Sequence, residues 1–435
     1  MSELLTPPSR ADGAGSPIRN GTAPHGPGRS NAGRPAGPVR RWWIRLHRWS
    51  SLALGLLLLL EATTGAVLLY ENDIARWLHP ERYRATPSAT PMSAIEALTM
   101  VRASHPELGA FGVQRYQGVY LVRGGDPMGR DYLDAFVDPG TGRINGIGHE
   151  LPGFVNLLIN IHDAGLSGKG MPGYLPWLGT PMPSLFGEHL TVGRYLLGVL
   201  GVLMVFIAVS GAIIWWPGLN ALARGFTVRP RRGNYARVLD LHRVVGIIAV
   251  PFLLMWGVTG AAMFFEWPGR AYFALVPGHR LSTPAPPTVG TGPMLTLDQA
   301  RDRALAAHPG AEVIAIGAQR PEQRGGAYRF RLRAGYDPYE YWNFSGNLYL
   351  SVDSHGGGTQ DWVPHEPSAP LSQRLWNNGI YDGLHFGTVV GPLPRLVWLL
   401  FGLTPVLLGV TGVTVWLTKS RSARRRRQRH RRTRS

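Results

Sequence analysis

The chain has 435 residues, 45 Lys+Arg against 27 Asp+Glu, a formal charge of +18 and no cysteine. The length allows two or three domains, and the missing cysteine excludes disulfides, thiolate metal sites, iron–sulfur clusters and a thiol nucleophile. So basic a chain would suit nucleic acid or an anionic membrane, but only 17% of residues are charged, and Gly, Pro and Trp number 56, 36 and 14; a basic soluble binder is excluded.

Residues 1–40 are rich in Gly, Pro, Ser, Asn and Arg and have little to bury, so they read as a disordered arm. Next comes the apolar run LALGLLLLLEATTGAVLLY, ending at Tyr70 and long enough to cross a hydrocarbon core of about 30 Å as a helix. It defines a first transmembrane helix over 41–72. Residues 73–190 form an outer domain with an insertion at 150–190, and a second helix covers 191–217, around Tyr195–Trp216. A basic loop at 218–240 leads to a third helix over 241–267, around Val244–Phe265. A second outer domain follows at 268–384, then a fourth helix over 385–418, around Leu396–Leu417, and a basic tail at 419–435.

Charge orients these spans. Residues 1–48, 217–240 and 419–435 together carry 23 basic and 3 acidic residues, against 22 and 24 elsewhere. Cytoplasmic loops concentrate Lys and Arg, so both termini and the middle loop are expected inside a plasma membrane and both large segments outside. The polybasic tail then reads as a topology determinant touching anionic lipid, not as a nucleic-acid site.

The two halves repeat. At an offset of 195 residues, Leu46-His47-Arg48 matches Leu241-His242-Arg243, Thr64-Gly65 matches Thr259-Gly260, and Glu71 matches Glu266. At an offset of 201, Arg194 matches Arg395, Ser210-Gly211 matches Thr411-Gly412, and Trp215 matches Trp416. Outside the spans, Ser93–Glu96 and Thr296–Gln299 have capping-box spacing, and each predicted helix ends at a His-Pro pair, His105-Pro106 or His308-Pro309. Alternating runs at Gly118–Arg123, Tyr132–Val137, Tyr328–Arg333 and Asn347–Val352 predict strands, with a hairpin turn at Asp138–Gly142. The expected fold is a bundle of four transmembrane helices, two parallel helix-hairpin repeats, carrying two small α+β domains outside.

The layout, with LHR…TG in a first helix and SG…WW in a return helix, together with NIHDAGL, PGYLPWLG, SGAIIWWPG, VLDLHRVVG and GLHFGT, resembles the PepSY-associated transmembrane family over about residues 41–418. The resemblance implies PepSY-like outer domains. Some members of that family resemble ferric-siderophore reductases that hold two b-type haems between their helices, and others have no assigned activity.

His47 and His242 occupy equivalent positions at the inner ends of spans one and three. His162 and His385 lie before spans two and four on the outer side, with His189 competing with His162 for the outer role. A histidine at a membrane interface is ordinarily a cap or an interfacial side chain. Neutral imidazole is also a strong axial haem ligand, and bis-His ligation suits electron transfer. On the haem reading, His47 with His242 and His162 with His385 would hold two haems near opposite faces. Arg194 and Arg395 could pair with haem propionates or simply snorkel. Glu61, in the middle of span one, is expensive there. It could orient a ligating histidine, carry a proton, pair with Arg194 or Arg395, or hydrogen-bond a neighbouring helix while protonated. The glycines of the TG and SG pairs read as packing positions or room for a flat macrocycle. Trp215, Trp216, Trp256, Trp267, Trp398 and Trp416 read as interfacial anchors.

No dinucleotide, phosphate-loop or flavin fingerprint is present in the sequence, and no zinc-protease helix or nucleophile elbow. Electrons would therefore come from a cytoplasmic flavin reductase or membrane quinol. The family resemblance points to a ferric siderophore or another external ferric chelate as acceptor. The rival expectation is a non-enzymatic membrane protein whose outer domains bind or inhibit an external peptidase or sense the envelope.

Overall fold

The computed structural model describes residues 37–125, 132–183, 190–229, 233–279, 287–319, 321–338, 345–361, 369–377, 380–389, 391 and 394–433. Most of the arm expected at 1–40 lies outside the described residues. Helix α1 (Pro38–Leu68) starts with a proline at its first position, where the missing N–H costs nothing. The short α2 (Glu71–Leu78) follows. Then α3 (Ala94–Ser104) begins in the expected capping box, Ser93 with Glu96, and is closed by His105. Strands β1 (Gly112–Tyr116), β2 (Val119–Gly124), β3 (Leu133–Val137) and β4 (Ile144–Gly148) form a meander. Helix α4 (Gly153–His162) and the long α5 (Val192–Trp215) complete the first half.

After the four-residue α6 (Leu222–Gly225) the same succession returns. It comprises α7 (Asn234–Phe264), α8 (Trp267–Leu275) and α9 (Leu297–Ala307), the last with a capping box of Thr296 and Gln299 and ended by His308. Strands β5 (Glu312–Gln319), β6 (Ala327–Arg333), β7 (Leu348–Asp353) and β8 (Thr359–Asp361) follow. The chain ends with α10 (Leu371–Asn377), α11 (Ile380–Phe386), α12 (Pro394–Gly402) and α13 (Thr404–Arg432).

The two large segments between the spans do not build two separate sheets. All eight strands form one, in the order β4-β3-β2-β1-β5-β6-β7-β8, because β1 pairs antiparallel with β5 over Gly112–Gln114 and Gly317–Ala315. Side chains cross that seam. Arg115 pairs with Glu312, and Arg331 donates to Gln114 Oε1 at 2.9 Å. One face carries a core shared by both halves, with Val113, Val122, Ile316 and Phe330 under α3 and α9. On the other face Tyr83, Tyr116, Leu121, Phe136 and Val155 pack together. Merging the halves removes two exposed strand edges, which otherwise invite pairing with other chains.

Two aspartates pin the strand turns. The carboxylate of Asp138 accepts from Thr86 N at 2.9 Å, Thr86 Oγ1 at 2.6 Å, and Gly140 N and Thr141 Oγ1 at 2.9 Å each. In the second half, Asp353 accepts from the N–H groups of Gly290, His355 and Gly357, each at 2.9 Å. Burial opposes the charge on Asp138, but the hydrogen bonds from Thr86, Gly140 and Thr141 outweigh it and hold the carboxyl pKa down at about 2.

Among the described residues four helical segments are long and apolar enough to cross a membrane: Pro38–Leu68, Val192–Trp215, Asn234–Phe264 and Pro394–Arg425. They close into a bundle in which α5 and α13 each touch both α1 and α7. The α5–α7 crossing brings two glycine backbones together. A Cβ at Gly201 would stand 2.9 Å from the Gly257 carbonyl oxygen, and one at Gly257 2.8 Å from that of Gly201. The last span differs from expectation in three ways. It does not include His385, which sits in the separate α11. It is broken at Leu403, because Pro405 lacks the N–H that would serve the Phe401 carbonyl; the Thr404 hydroxyl donates to that carbonyl instead, at 2.6 Å. Its basic end continues the helix to Arg432.

Candidate functional site: four seated histidines

The four predicted histidines share one local arrangement. His47 on α1 places Nδ1 2.8 Å from Ser210 Oγ on α5, and His242 on α7 places Nδ1 2.9 Å from Thr411 Oγ1 on α13. His162, at the end of α4, lies 3.3 Å from Thr64 Oγ1 on α1, and His385 on α11 lies 2.8 Å from Thr259 Oγ1 on α7. Every hydroxyl is therefore the first member of a repeated TG or SG pair.

The hydroxyls decide the tautomer. Each has one proton, and each is within donating reach of a carbonyl of its own helix: Ser210 to Ile207 at 3.0 Å, Thr411 to Leu407 at 2.7 Å, Thr64 to Leu60 at 2.9 Å and Thr259 to Met255 at 2.8 Å. With that proton used, the hydroxyl oxygen accepts and the imidazole Nδ1–H donates. This assignment follows from the network, and it leaves a lone pair on every Nε2. No hydrogen bond to any of the four Nε2 atoms is found among the described residues.

The glycine of each pair makes room for the ring. A Cβ at Gly65 would stand 2.5 Å from His162 Cε1, at Gly211 3.3 Å from His47 Cε1, at Gly412 3.3 Å from His242 Cε1, and at Gly260 3.5 Å from His385 Cε1. The sequence pairs these glycines correctly, but their use as ring seats is visible only once the helices are packed.

The rings of His162 and His385 face each other, with centroids 6.1 Å apart and planes at 51°. Metal–imidazole bonds are about 2 Å each, so two such bonds plus two half-rings span roughly that separation. His47 and His242 stand on α1 and α7, which pack against the same two helices, α5 and α13. Among the described residues no group of three or more His, Cys, Asp or Glu could hold a bare metal ion. The donor set is thus two imidazoles at each end, which fits an iron whose other four ligands come from a macrocycle. Polar atoms without partners lie beside it: Arg48 Nε and Ser51 Oγ near His47, and Arg395 Nε at the outer end. Buried polar atoms are ordinarily satisfied, so these positions suit a further polar group.

Other predicted residues fall differently. Glu61 contacts His162 through its carboxylate, Oε1 to Nδ1 at 3.1 Å, and through its backbone oxygen at 2.9 Å. It pairs with neither arginine; its contact with His162 suits both orienting that ring and hydrogen-bonding a neighbouring helix. Arg395 binds Asp73 Oδ2 at 3.1 Å and the Leu69 carbonyl at 3.3 Å, and lies over the Tyr70 ring. Arg194, at the start of α5, has no ion-pair partner among the described residues. His189 lies outside the described residues. Trp256 and Trp398 are not free interfacial anchors. Their indole N–H groups take the His385 and Leu384 carbonyls at 3.1 and 2.6 Å, capping α11 and fixing His385. Trp215 is likewise buried, donating to the Gly225 carbonyl at 3.1 Å.

No curated protein sequence matches the chain. The family model described as the PepSY-associated TM region matches residues 44–419, a stretch that contains all four spans' apolar cores and all four seated histidines. The chain is a membrane protein and belongs to the PepSY-associated transmembrane family.

Proposed function

We propose that the protein is a transmembrane electron carrier holding two b-type haems, one between His47 and His242 and one between His162 and His385, and that it reduces an external ferric chelate such as a ferric siderophore. The observation carrying this reading is the common contact of four histidines: each sets Nδ1 against a helix hydroxyl, at 2.8–3.3 Å, and the tautomer assigned from that network leaves Nε2 as a ligand. A structural histidine has no need of that common orientation.

Bound there, haem would supply a one-electron Fe(III)/Fe(II) couple. The chain's own contribution is to hold the ligand rings, to keep them at two depths of the bundle, and to surround them with apolar helices that exclude water. Arg48 and Ser51 at one end and Arg194 and Arg395 at the other are the groups we assign to carboxylates carried by the macrocycle. The electron donor in this scheme is a cytoplasmic flavin reductase or membrane quinol. The acceptor docks on the outer side, and the assignment to ferric chelates rests on likeness within the family. We place the protein in the plasma membrane with both termini in the cytoplasm, in contact with anionic lipid through the basic end of α13. We also read the chain as a parallel repeat whose two outer halves are PepSY-like units fused through β1 and β5.

A visible spectrum of detergent-purified protein from haem-replete cells tests the proposal. A Soret band with sharp reduced α and β bands is expected. A colourless preparation refutes it and leaves the non-enzymatic, envelope-binding reading.

A further inference from the structure

The repeat is broken at one place beside the outer histidines. Position 61 on α1 corresponds to position 256 on α7, at the same offset of 195 that relates Thr64 to Thr259. Glu61 presents its carboxylate and its backbone oxygen to His162 Nδ1, at 3.1 and 2.9 Å. Trp256 instead spends its single donor on the His385 backbone carbonyl at 3.1 Å, so the His385 ring keeps only the Thr259 hydroxyl, at 2.8 Å. At the other pair, each ring is held by a hydroxyl, Ser210 for His47 and Thr411 for His242, at 2.8 and 2.9 Å. Among the described residues Glu61 is the one carboxylate that contacts any of the four rings. Besides His162, the groups that face it are Thr64, one turn along α1, and Asp163, beside His162 at the end of α4.

Resting on the haem reading above, we infer that Glu61 is a positioning residue that makes the two outer ligands unequal and lowers the reduction potential of the outer centre. The His162 Nδ1–H donates to the Glu61 backbone oxygen, and the Glu61 carboxylate stands 3.1 Å from the same nitrogen; a carboxylate set against the far nitrogen of a metal-bound imidazole makes the ring a stronger donor. Stronger donation favours ferric over ferrous iron, and hydrogen bonding to the ligand is one of the levers on haem potential. His162 becomes the strong ligand and His385 the ordinary one. The consequence matches the side of the membrane on which Glu61 sits. A low potential at the outer face drives an electron onward to an acceptor that is itself hard to reduce, the chemistry of iron(III) held by hard oxygen donors. A bundle with two symmetric centres would lack that bias.

The test uses full-length protein in detergent: wild type, Glu61→Gln and Glu61→Asp, titrated spectroelectrochemically, with low-temperature EPR of the ferric state. Glutamine keeps the volume and a hydrogen-bond acceptor and removes the charge. In Glu61→Gln one couple should rise while the other stays. We expect a ten- to hundredfold change in ferric-over-ferrous preference, the scale on which such partners act on metal affinity; for a one-electron couple that is about 60–120 mV. The highest g value of one ferric signal should move with it, and Glu61→Asp should stay near wild type. Unchanged couples in Glu61→Gln overturn the inference. So does loss of one haem from both variants, which would make the role one of packing. A haem-free wild-type protein sinks the electron-transfer reading itself.

Discussion

Replacing Gly65 by alanine should cost the protein its outer centre, whereas the repeat-equivalent Gly260→Ala should not. A Cβ at position 65 would lie 2.5 Å from His162 Cε1 and 3.1 Å from each ring nitrogen, whereas at position 260 the nearest ring atom is 3.5 Å away. Carbon atoms rest at about 3.5–4.0 Å, so the His162 ring must retreat by roughly 1 Å while the His385 ring need not move. The ring is not free to retreat. Nδ1 is held at 2.9 Å by the Glu61 carbonyl and at 3.1 Å by its carboxylate. Overpacking of this kind costs about 1–3 kcal/mol, and a retreat also spoils the 6.1 Å separation from His385. The assay is haem per protein by the pyridine haemochrome method, with the thermal midpoint in detergent measured alongside. Gly65→Ala should keep about half the wild-type haem and melt earlier. Gly260→Ala should keep both haems, with Gly211→Ala and Gly412→Ala in between. Equal loss in Gly65→Ala and Gly260→Ala, or a Gly65→Ala protein with unaltered haem content and spectrum, would show that the rings are not seated as described.

Four further outcomes are expected. His242→Ala and His47→Ala should each remove about half the haem and the same spectral component, with His162→Ala and His385→Ala removing the other; a component shared across those pairs would reassign the ligands. Thr411→Val keeps the shape but strips the acceptor from His242 Nδ1–H, and should destabilise the protein by about 1–3 kcal/mol in thermal or denaturant melts, with Thr418→Val on the exposed end of α13 as the neutral control. The carboxyl of Asp138 has its pKa depressed to about 2, against about 3.9 in an unfolded chain. Its stabilisation is therefore complete above about pH 4 and lost as the pH falls towards 2; melts across that window should fall steeply for wild type and less so for Asp138→Asn. Because the chain has no cysteine, single replacements report topology directly. Cysteine at exposed Ser422 should react with an impermeant maleimide only after cells are opened, and cysteine at exposed Ser88 in intact cells; the reverse pattern would invert the orientation.

Some of this was legible before folding because it is local or periodic. The spans follow from the length of their apolar runs, the starts of α3 and α9 from capping boxes, and their ends from His105 and His308. The histidines could be assigned to two depths from span boundaries and charge alone. Other features depend on partners far away in the chain. Sheet fusion needs β1 to meet β5, about two hundred residues on, and neither strand carries a pattern naming its neighbour. Arg395 could not be assigned to Asp73, nor Glu61 to His162, because an ion pair depends on which helices are adjacent. The tryptophans at 256 and 398 resembled interfacial anchors because composition cannot tell an indole facing lipid from one capping α11. The break at Leu403 was readable in principle, since Pro405 stands within a predicted span, but the compensating Thr404 hydroxyl belongs to the folded helix.

The sequence by itself determined that this is a membrane protein with four candidate spans, and that thiolate metal chemistry is excluded. Those properties depend on hydropathy, charge and residue supply, which do not require contacts. Only the tertiary structure decided that each histidine enters a seat made of a hydroxyl and a glycine, that the tautomer leaves Nε2 free, and that Glu61 singles out His162. A hydrogen bond is set by distances of a few tenths of an ångström between groups up to 326 residues apart in the chain, and only the packed helices bring such groups within reach.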